Sequence, residues 1–207
     1  LAAVLVERVR DIGSRQTTAR AMLLALIPAL AVIAQDLGSG LVYVSIALVI
    51  LFVAGTPWTH FAALGALAAT ALAIVLVAAP AAGVEVLQPY QKDRLTAFLS
   101  PEDKRGEEAY QQVQSQVAIG AGGKTGRGED ATQTQLNFLP EHHTDFIFAV
   151  IGEEFGKKGA ALVLSLFALL IWRTLRILTI AKDLFGTLIA AGVLAMLMHQ
   201  IFVNVGM

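Results

Sequence analysis

The chain has 207 residues, 56% hydrophobic and 15% charged, with a net charge of −1 and a mean hydropathy of +0.67. Soluble globular chains carry roughly 25% charged residues, so this composition belongs in a membrane. A near-zero net charge offers no basic field for nucleic acid, and the absence of cysteine excludes disulfides, thiolate metal sites and a cysteine nucleophile.

The chain starts at Leu1 with no charged n-region and cleavage site before a short apolar core, so no signal peptide is read. A piece of a longer protein is expected. Residues 1–20 carry Arg8, Arg10, Arg15 and Arg20 against Glu7 and Asp11, an interfacial or cytosolic pattern. The apolar run 21–34, with Pro28 in its middle, is short of the roughly 20 residues a span needs. A helix starting near Thr17, with Arg20 snorkelling to the interface, makes up the length. The polar break at Gln35–Gly40 precedes a second run over 41–54, whose helix Leu37 can join. A tight turn at 55–60 carries the interfacial Trp58, and 61–82 is an uncharged span of twenty-two residues.

Residues 83–144 then hold nine acids, six Lys/Arg and seven of the eighteen glycines, the signature of a large extramembrane loop. Within it, Ala109, Tyr110, Val113 and Val117 recur at helical spacing over 107–119. This predicts an amphipathic helix lying on protein or membrane, with Gly120 as its C-cap. Glycine density over 120–128 defeats both helix and strand. The apolar phase resumes at 146–151 in a short helix expected to end at Gly156. Spans at 160–172 and 184–205 flank a basic turn with Arg173, Arg176, Lys182 and Asp183. The expected fold class is all-α, a polytopic helical membrane protein with a large extracytoplasmic loop. Its parts are transmembrane helices over 1–82, the loop over 83–145, and a re-entrant or short helix plus two transmembrane helices over 146–207. Counting crossings puts both basic segments on the cytoplasmic side and the acidic loop outside, as the positive-inside rule requires.

Ala118-Ile119-Gly120-Ala121-Gly122-Gly123-Lys124-Thr125 loosely fits a Walker A pattern. A phosphate loop needs a preceding hydrophobic strand and a following helix, and here a Gln-rich helix precedes and more glycine follows. Backbone N–H groups approaching an anionic ligand remain an open reading. The polar knot Leu139-Pro140-Glu141-His142-His143-Thr144-Asp145 runs straight into apolar sequence. Glu141, His142, His143 and Asp145 suggest a metal site, but adjacent side chains diverge and no helical His-x-x-x-His occurs. A hard cation held partly by a substrate phosphate is compatible with them. Thr144 or Asp145 can cap the helix that follows, and a carboxylate beside an apolar wall can also act as a general base. Glu153 and Glu154 read as a solvated helix end rather than an acid pair. Asp36 either caps the helix near Leu37 or lines a polar path. His199 and Asn204 read as helix–helix hydrogen bonders.

Taken together, Gln35-Asp36-Leu37-Gly38-Ser39, Tyr110-Gln111 with Gln114-Ser115, Ala118 to Gly123 with Gly126-Arg127-Gly128, Leu139 to Ala149, and Gly152-Glu153-Glu154-Phe155-Gly156 resemble the SEDS (FtsW/RodA/SpoVE) family of bacterial cell-wall polymerases. Order and intervals agree. The stretch 132–140 is more similar to the RodA branch, which serves elongation, than to the FtsW branch, which serves division. Two departures stand out: about five spans are present where the family has about ten, and Lys104 to Ala109 replaces an Asp-Pro and Gly pattern.

The resemblance implies a peptidoglycan glycosyltransferase that polymerises lipid II at the outer face of the bacterial cytoplasmic membrane, serving cell elongation and rod shape. It maps the family's essential carboxylate onto Asp145, as the base that activates the acceptor hydroxyl. Candidate substrate-binding residues are Lys124, Arg127, Glu141, His142, His143, Thr144, Gln114, Ser115 and Asp36. Lys124, Arg127 or a divalent cation (Mg or Mn) would meet the charge on the leaving pyrophosphate. The implied partners are lipid II, membrane lipid and a class B penicillin-binding protein, with no nucleic acid. The alternatives are a lipid II flippase, with Asp36, His199 and Asn204 along its path, or a scaffold that only recruits the penicillin-binding protein.

Overall fold

The computed structural model describes residues 1–33, 36–78, 80, 107–128, 131 and 146–206. Every element among them is helical. The chain divides into two compact units, Leu1–Gln88 with Ile171–His199, and Pro89–Leu170 with Gln200–Met207.

The first unit opens with α1 (Ala2–Glu7) and a 3₁₀ turn (Val9–Asp11). Helix α2 (Arg15–Ile33) starts where the Ser14 hydroxyl oxygen accepts the Thr17 N–H at 3.2 Å, and it runs through Pro28. Its start at Arg15 recovers a span-length helix from the short apolar run. Helix α3 (Leu37–Val53) is capped by Asp36, whose Oδ1 and Oδ2 accept the N–H groups of Gly38 and Ser39 at 3.0 and 2.9 Å. This is the N-cap geometry weighed for Asp36 against a polar path. Gly40 lets α3 close against Ile33 of α2, where a side chain at residue 40 would collide.

Helix α4 (Trp58–Ala73) follows Pro57 and continues as a π-helical stretch, Ile74–Ala78. Phe52, Trp58 and Phe61 form an edge-to-face cluster at the turn, with centroids 5.7–6.4 Å apart. Helix α7 (Leu184–Gly206) is capped by Asp183, whose Oδ1 accepts the Gly186 N–H at 2.9 Å. The core of this unit gathers Ala2 and Leu5 of α1, Ala21 of α2, Ile50 and Leu51 of α3, and Leu188 of α7. The starts of α1, α2 and α7 therefore share one end with the finish of α3. Two polar bonds reinforce the packing: Thr18 Oγ1 to His60 Nδ1 at 2.7 Å, and Ser45 Oγ to His199 Nδ1 at 2.8 Å. The second joins α3 to α7, as expected of His199, whereas Asn204 donates within its own helix to the Gln200 carbonyl at 3.2 Å.

Among the described residues four helices are long and apolar enough to cross a membrane: α2, Trp58–Val77, Ile147–Ile180 and α7; Gly38–Val53 is a shorter apolar helix. These correspond to the five apolar runs of the sequence.

In the second unit, α5 (Glu107–Ala121) precedes the glycine-rich loop, and α6 (Ile147–Ile180), whose residues from Ile171 on belong to the first unit, follows the polar knot. Two boundaries differ from expectation. Gly120 lies inside α5 rather than at its C-cap, because the helix continues to Ala121. Gly156 does not end a short helix. It interrupts α6 with φ 63° and ψ −161°, after which the same helix resumes.

Candidate functional site

The face that α5 buries is not its apolar stripe. Tyr110, Val113 and Val117 are all exposed, whereas Ser115 and Ala118 are buried and Ala118 packs with Phe146 and Ala149. The Ser115 hydroxyl donates to the Gln112 carbonyl at 2.9 Å, and Gln114 is half-buried. Small residues form the docked face because the backbone beyond them must come very close to α6.

That approach is a latch. In an uninterrupted helix the Lys157 N–H would bond the Glu153 carbonyl. The flipped backbone at Gly156 separates the two, and the glycine loop takes both: Lys157 N–H donates to the Gly123 carbonyl at 3.0 Å, and Arg127 N–H donates to the Glu153 carbonyl at 2.9 Å. Two inter-segment bonds replace one intrahelical bond, so neither the Lys157 N–H nor the Glu153 carbonyl is orphaned. Glycine is required at both contacts. Residue 156 occupies a region of backbone space open essentially to glycine alone, and a Cβ there would sit 2.8 Å from the Thr125 nitrogen and 2.9 Å from the Gly122 oxygen. A Cβ at Gly126, itself at φ 85°, would overlap the Glu154 carbonyl.

The latch answers the Walker A question. The N–H groups of Gly122, Gly123, Gly126 and Arg127 go to the carbonyls of Ala118, Gly120, Gly122 and Glu153. Those four amides are already bonded and cannot cradle a phosphate. What the loop presents outward is side-chain charge, since Lys124 and Arg127 are exposed.

Glu153, expected at a solvated helix end, is 0% exposed, and Glu154 is half-buried. The closely docked loop and α5 remove Glu153 from water. Its only sequence signal is its place between Gly152 and Gly156, both of which lie against the glycine loop or α5.

The structure thus brings Lys124 and Arg127 to the loop beside 152–157, with Gln114 and Ser115 on the adjoining helix, while Asp36 caps α3 in the other unit. Glu141, His142, His143, Thr144 and Asp145 lie outside the described residues, as do the capping roles expected of Thr144 and Asp145. Their successor Phe146 is buried and its carbonyl accepts the Ala149 and Val150 N–H groups at 2.9 and 3.3 Å, so α6 starts immediately beyond Asp145. Among the described residues no group of three His, Asp or Glu side chains is placed to hold a metal ion.

Comparison with known proteins adds the family. Peptidoglycan glycosyltransferase MrdB of Escherichia coli K12 is 40% identical over 198 residues, covering 94% of this chain and 51% of that protein. Stage V sporulation protein E of Bacillus subtilis is 38% identical over 172 residues, 83% of this chain and 44% of the relative. Peptidoglycan glycosyltransferase RodA of Treponema pallidum is 44% identical over 126 residues, 60% of this chain and 29% of the relative. A solved chain from work on the structural coordination of polymerization and crosslinking by a peptidoglycan synthase complex superposes with a TM-score of 0.72 at 29% identity, covering 98% of this chain and 55% of that one. The chain spans about half the length of the first two of these relatives. The family model described as cell cycle protein, FtsW/RodA/SpoVE, matches residues 1–207, and with the matching helical fold it shows that this chain belongs to the FtsW/RodA/SpoVE family.

Proposed function

We propose that the full-length protein is a peptidoglycan glycosyltransferase that polymerises lipid II, with Asp145 as its catalytic base. The observation that carries this reading is the 40% identity, over 94% of the chain, to a protein named as a peptidoglycan glycosyltransferase. Asp145 takes the proton from the acceptor GlcNAc 4-hydroxyl as that oxygen attacks C1 of the donor MurNAc. The α-linked undecaprenyl pyrophosphate leaves and a β-1,4 bond forms, so a single inversion needs a single base, as in inverting sugar hydrolysis.

The leaving group gathers negative charge, and the latched loop supplies cations to meet it. Arg127 is bonded to Glu153, seven residues along α6 from Phe146, which at 1.5 Å per residue is roughly 10 Å. Long Lys124 and Arg127 side chains span such a gap. Gln114 and Ser115 support the loop from α5, and Glu141, His142, His143 and Thr144 contribute to the substrate surface beside Asp145. The described residues furnish no donor set for Mg or Mn, and no step is routed through a cation.

The flippase reading loses support because its candidate path residues are engaged: Asp36 caps α3, His199 bonds Ser45, and Asn204 bonds the Gln200 carbonyl. In the proposed orientation the basic end of the first unit is cytoplasmic and Asp145 faces outward across the bacterial inner membrane. An elongation role and a class B penicillin-binding protein as transpeptidase partner complete the proposal. The latter is supported by the match to a complex that coordinates polymerization with crosslinking.

The test incubates the full-length protein and its transpeptidase with labelled lipid II beside an Asp145→Asn variant. Loss of the base should lower the rate by 10²- to 10⁴-fold, roughly the range general-base catalysis supplies. Glycan ladders of equal intensity from both proteins would remove Asp145 from the chemistry. Ladders from neither would favour a flippase or scaffold.

A further inference from the structure

The first unit carries charge and aromatic side chains unevenly. Its core ties the starts of α1, α2 and α7 and the finish of α3 into one end. To that end belong Arg8, Arg10, Arg15 and Arg20 at the start of the chain, and Lys182 in the turn that leads into α7. Arg173 and Arg176 lie in the last two turns of α6, which runs into the same turn. The acids of this end are few: Glu7, Asp11 and Asp183, and the last is committed to capping α7. Trp58 at the start of α4 and Trp172 on α6 are both exposed, at 74% and 54%. Exposed tryptophans mixed with exposed cations on apolar helices mark the level of lipid headgroups.

One place at this level has the shape of a site. Trp172, Leu175, Arg176 and Thr179 line a groove of about 380 Å³ on a single face of α6. The guanidinium carbon of Arg176 lies over the Trp172 ring, 6.0 Å from its centroid, a cation–π contact. Arg173, one turn before Arg176, flanks it. The groove therefore offers an apolar wall (Trp172, Leu175) and the Arg176 cation, with Arg173 one turn away beside it. This is complementary to a molecule with a phosphate at one end and hydrocarbon at the other.

We propose that this groove binds one anionic phospholipid, with Arg176 and Arg173 on the phosphate and the first methylenes of an acyl chain against Trp172 and Leu175, while the Thr179 hydroxyl stays bonded to the Arg176 carbonyl at 2.9 Å. This proposal does not depend on the glycosyltransferase reading. Basic pockets at helix ends select anionic headgroups by charge, each cation contributing about five-fold in affinity. The Trp172–Arg176 cation–π contact holds one of those cations in place before the lipid arrives.

The experiment is native mass spectrometry of the full-length protein released from detergent, titrated separately with phosphatidylglycerol and phosphatidylcholine of the same acyl chains. The expected result is a first phosphatidylglycerol adduct formed at roughly twenty-fold lower lipid concentration than the phosphatidylcholine adduct. In Arg173→Gln/Arg176→Gln that preference should fall by about twenty-fold or vanish. In Arg173→Lys/Arg176→Lys, which keeps charge and folding, part of it should return. Trp172→Ala should weaken binding of both lipids. Equal affinity for the two lipids, or a preference untouched by the double Gln variant, would overturn the proposal. So would abolition of the preference by millimolar inorganic phosphate, which would make the groove a site for free phosphate rather than lipid.

Discussion

Replacing Gly156 with alanine should open the latch between the glycine loop and α6. If the latch stayed closed, the new side chain would sit in glycine-only backbone space at a cost of about 1–3 kcal/mol. Its Cβ would also press on the Thr125 nitrogen and Gly122 oxygen at 2.8 and 2.9 Å. Opening loses two hydrogen bonds of about 1 kcal/mol each, restores one within the helix, and gains about 1 kcal/mol of helix propensity. The open state therefore gains on the closed one by about 3 kcal/mol, roughly a hundredfold at 1.4 kcal/mol per factor of ten. Hydrogen–deuterium exchange reads this directly. The Arg127 amide, bonded to the Glu153 carbonyl in the latch, should exchange about a hundredfold faster. The Lys157 amide should stay protected, because a regular helix returns it to Glu153. The comparison variant is Gly120→Ala, inside α5 with nothing within 4 Å of its added Cβ, which should leave exchange in the loop unchanged or slower. Unchanged Arg127 exchange in Gly156→Ala would refute the latch.

Other substitutions separate structure from chemistry. Asp36→Ala removes two side-chain bonds to the start of α3 and should cost about 1 kcal/mol in detergent unfolding, with lipid II polymerisation retained if capping is its main role. Ser45→Ala and His199→Ala should each cost about 0.6 kcal/mol and show coupling in a double-mutant cycle, because they share one bond between α3 and α7. Glu153→Ala empties a fully buried position under the loop and should cost about 2–4 kcal/mol, while Glu153→Gln, of equal volume, should cost less. Equal losses for the two Glu153 variants would mean that the charge, not the packing, matters there.

The membrane helices were legible because hydrocarbon leaves the backbone no partner but itself, so an apolar run of sufficient length must be helical. The start of α2 near Thr17, the inclusion of Leu37 in α3, the cap at Asp36 and the helix–helix bond of His199 all follow from local rules that need only neighbouring residues. The motif order from Gln35 to Gly156 carried the family, and the matching relatives and solved fold agree with it.

Three features depended on what meets what across the chain. The docked face of α5 is its small-residue face, not the Tyr110–Val113–Val117 stripe, because close approach of two backbones outweighs burial of three apolar side chains at that contact. Glu153 is buried because a loop about 30 residues earlier in the chain covers it. Gly156 reads in sequence as a stop, since glycine weakens any helix, yet the helix resumes beyond it. Composition and periodicity determined that this is a helical membrane protein with a glycine-rich loop before its second group of spans. Only the tertiary structure decided that the loop closes on a broken helical turn, because a hydrogen bond needs both its donor and its acceptor, and the sequence does not pair Lys157 with Gly123 or Arg127 with Glu153.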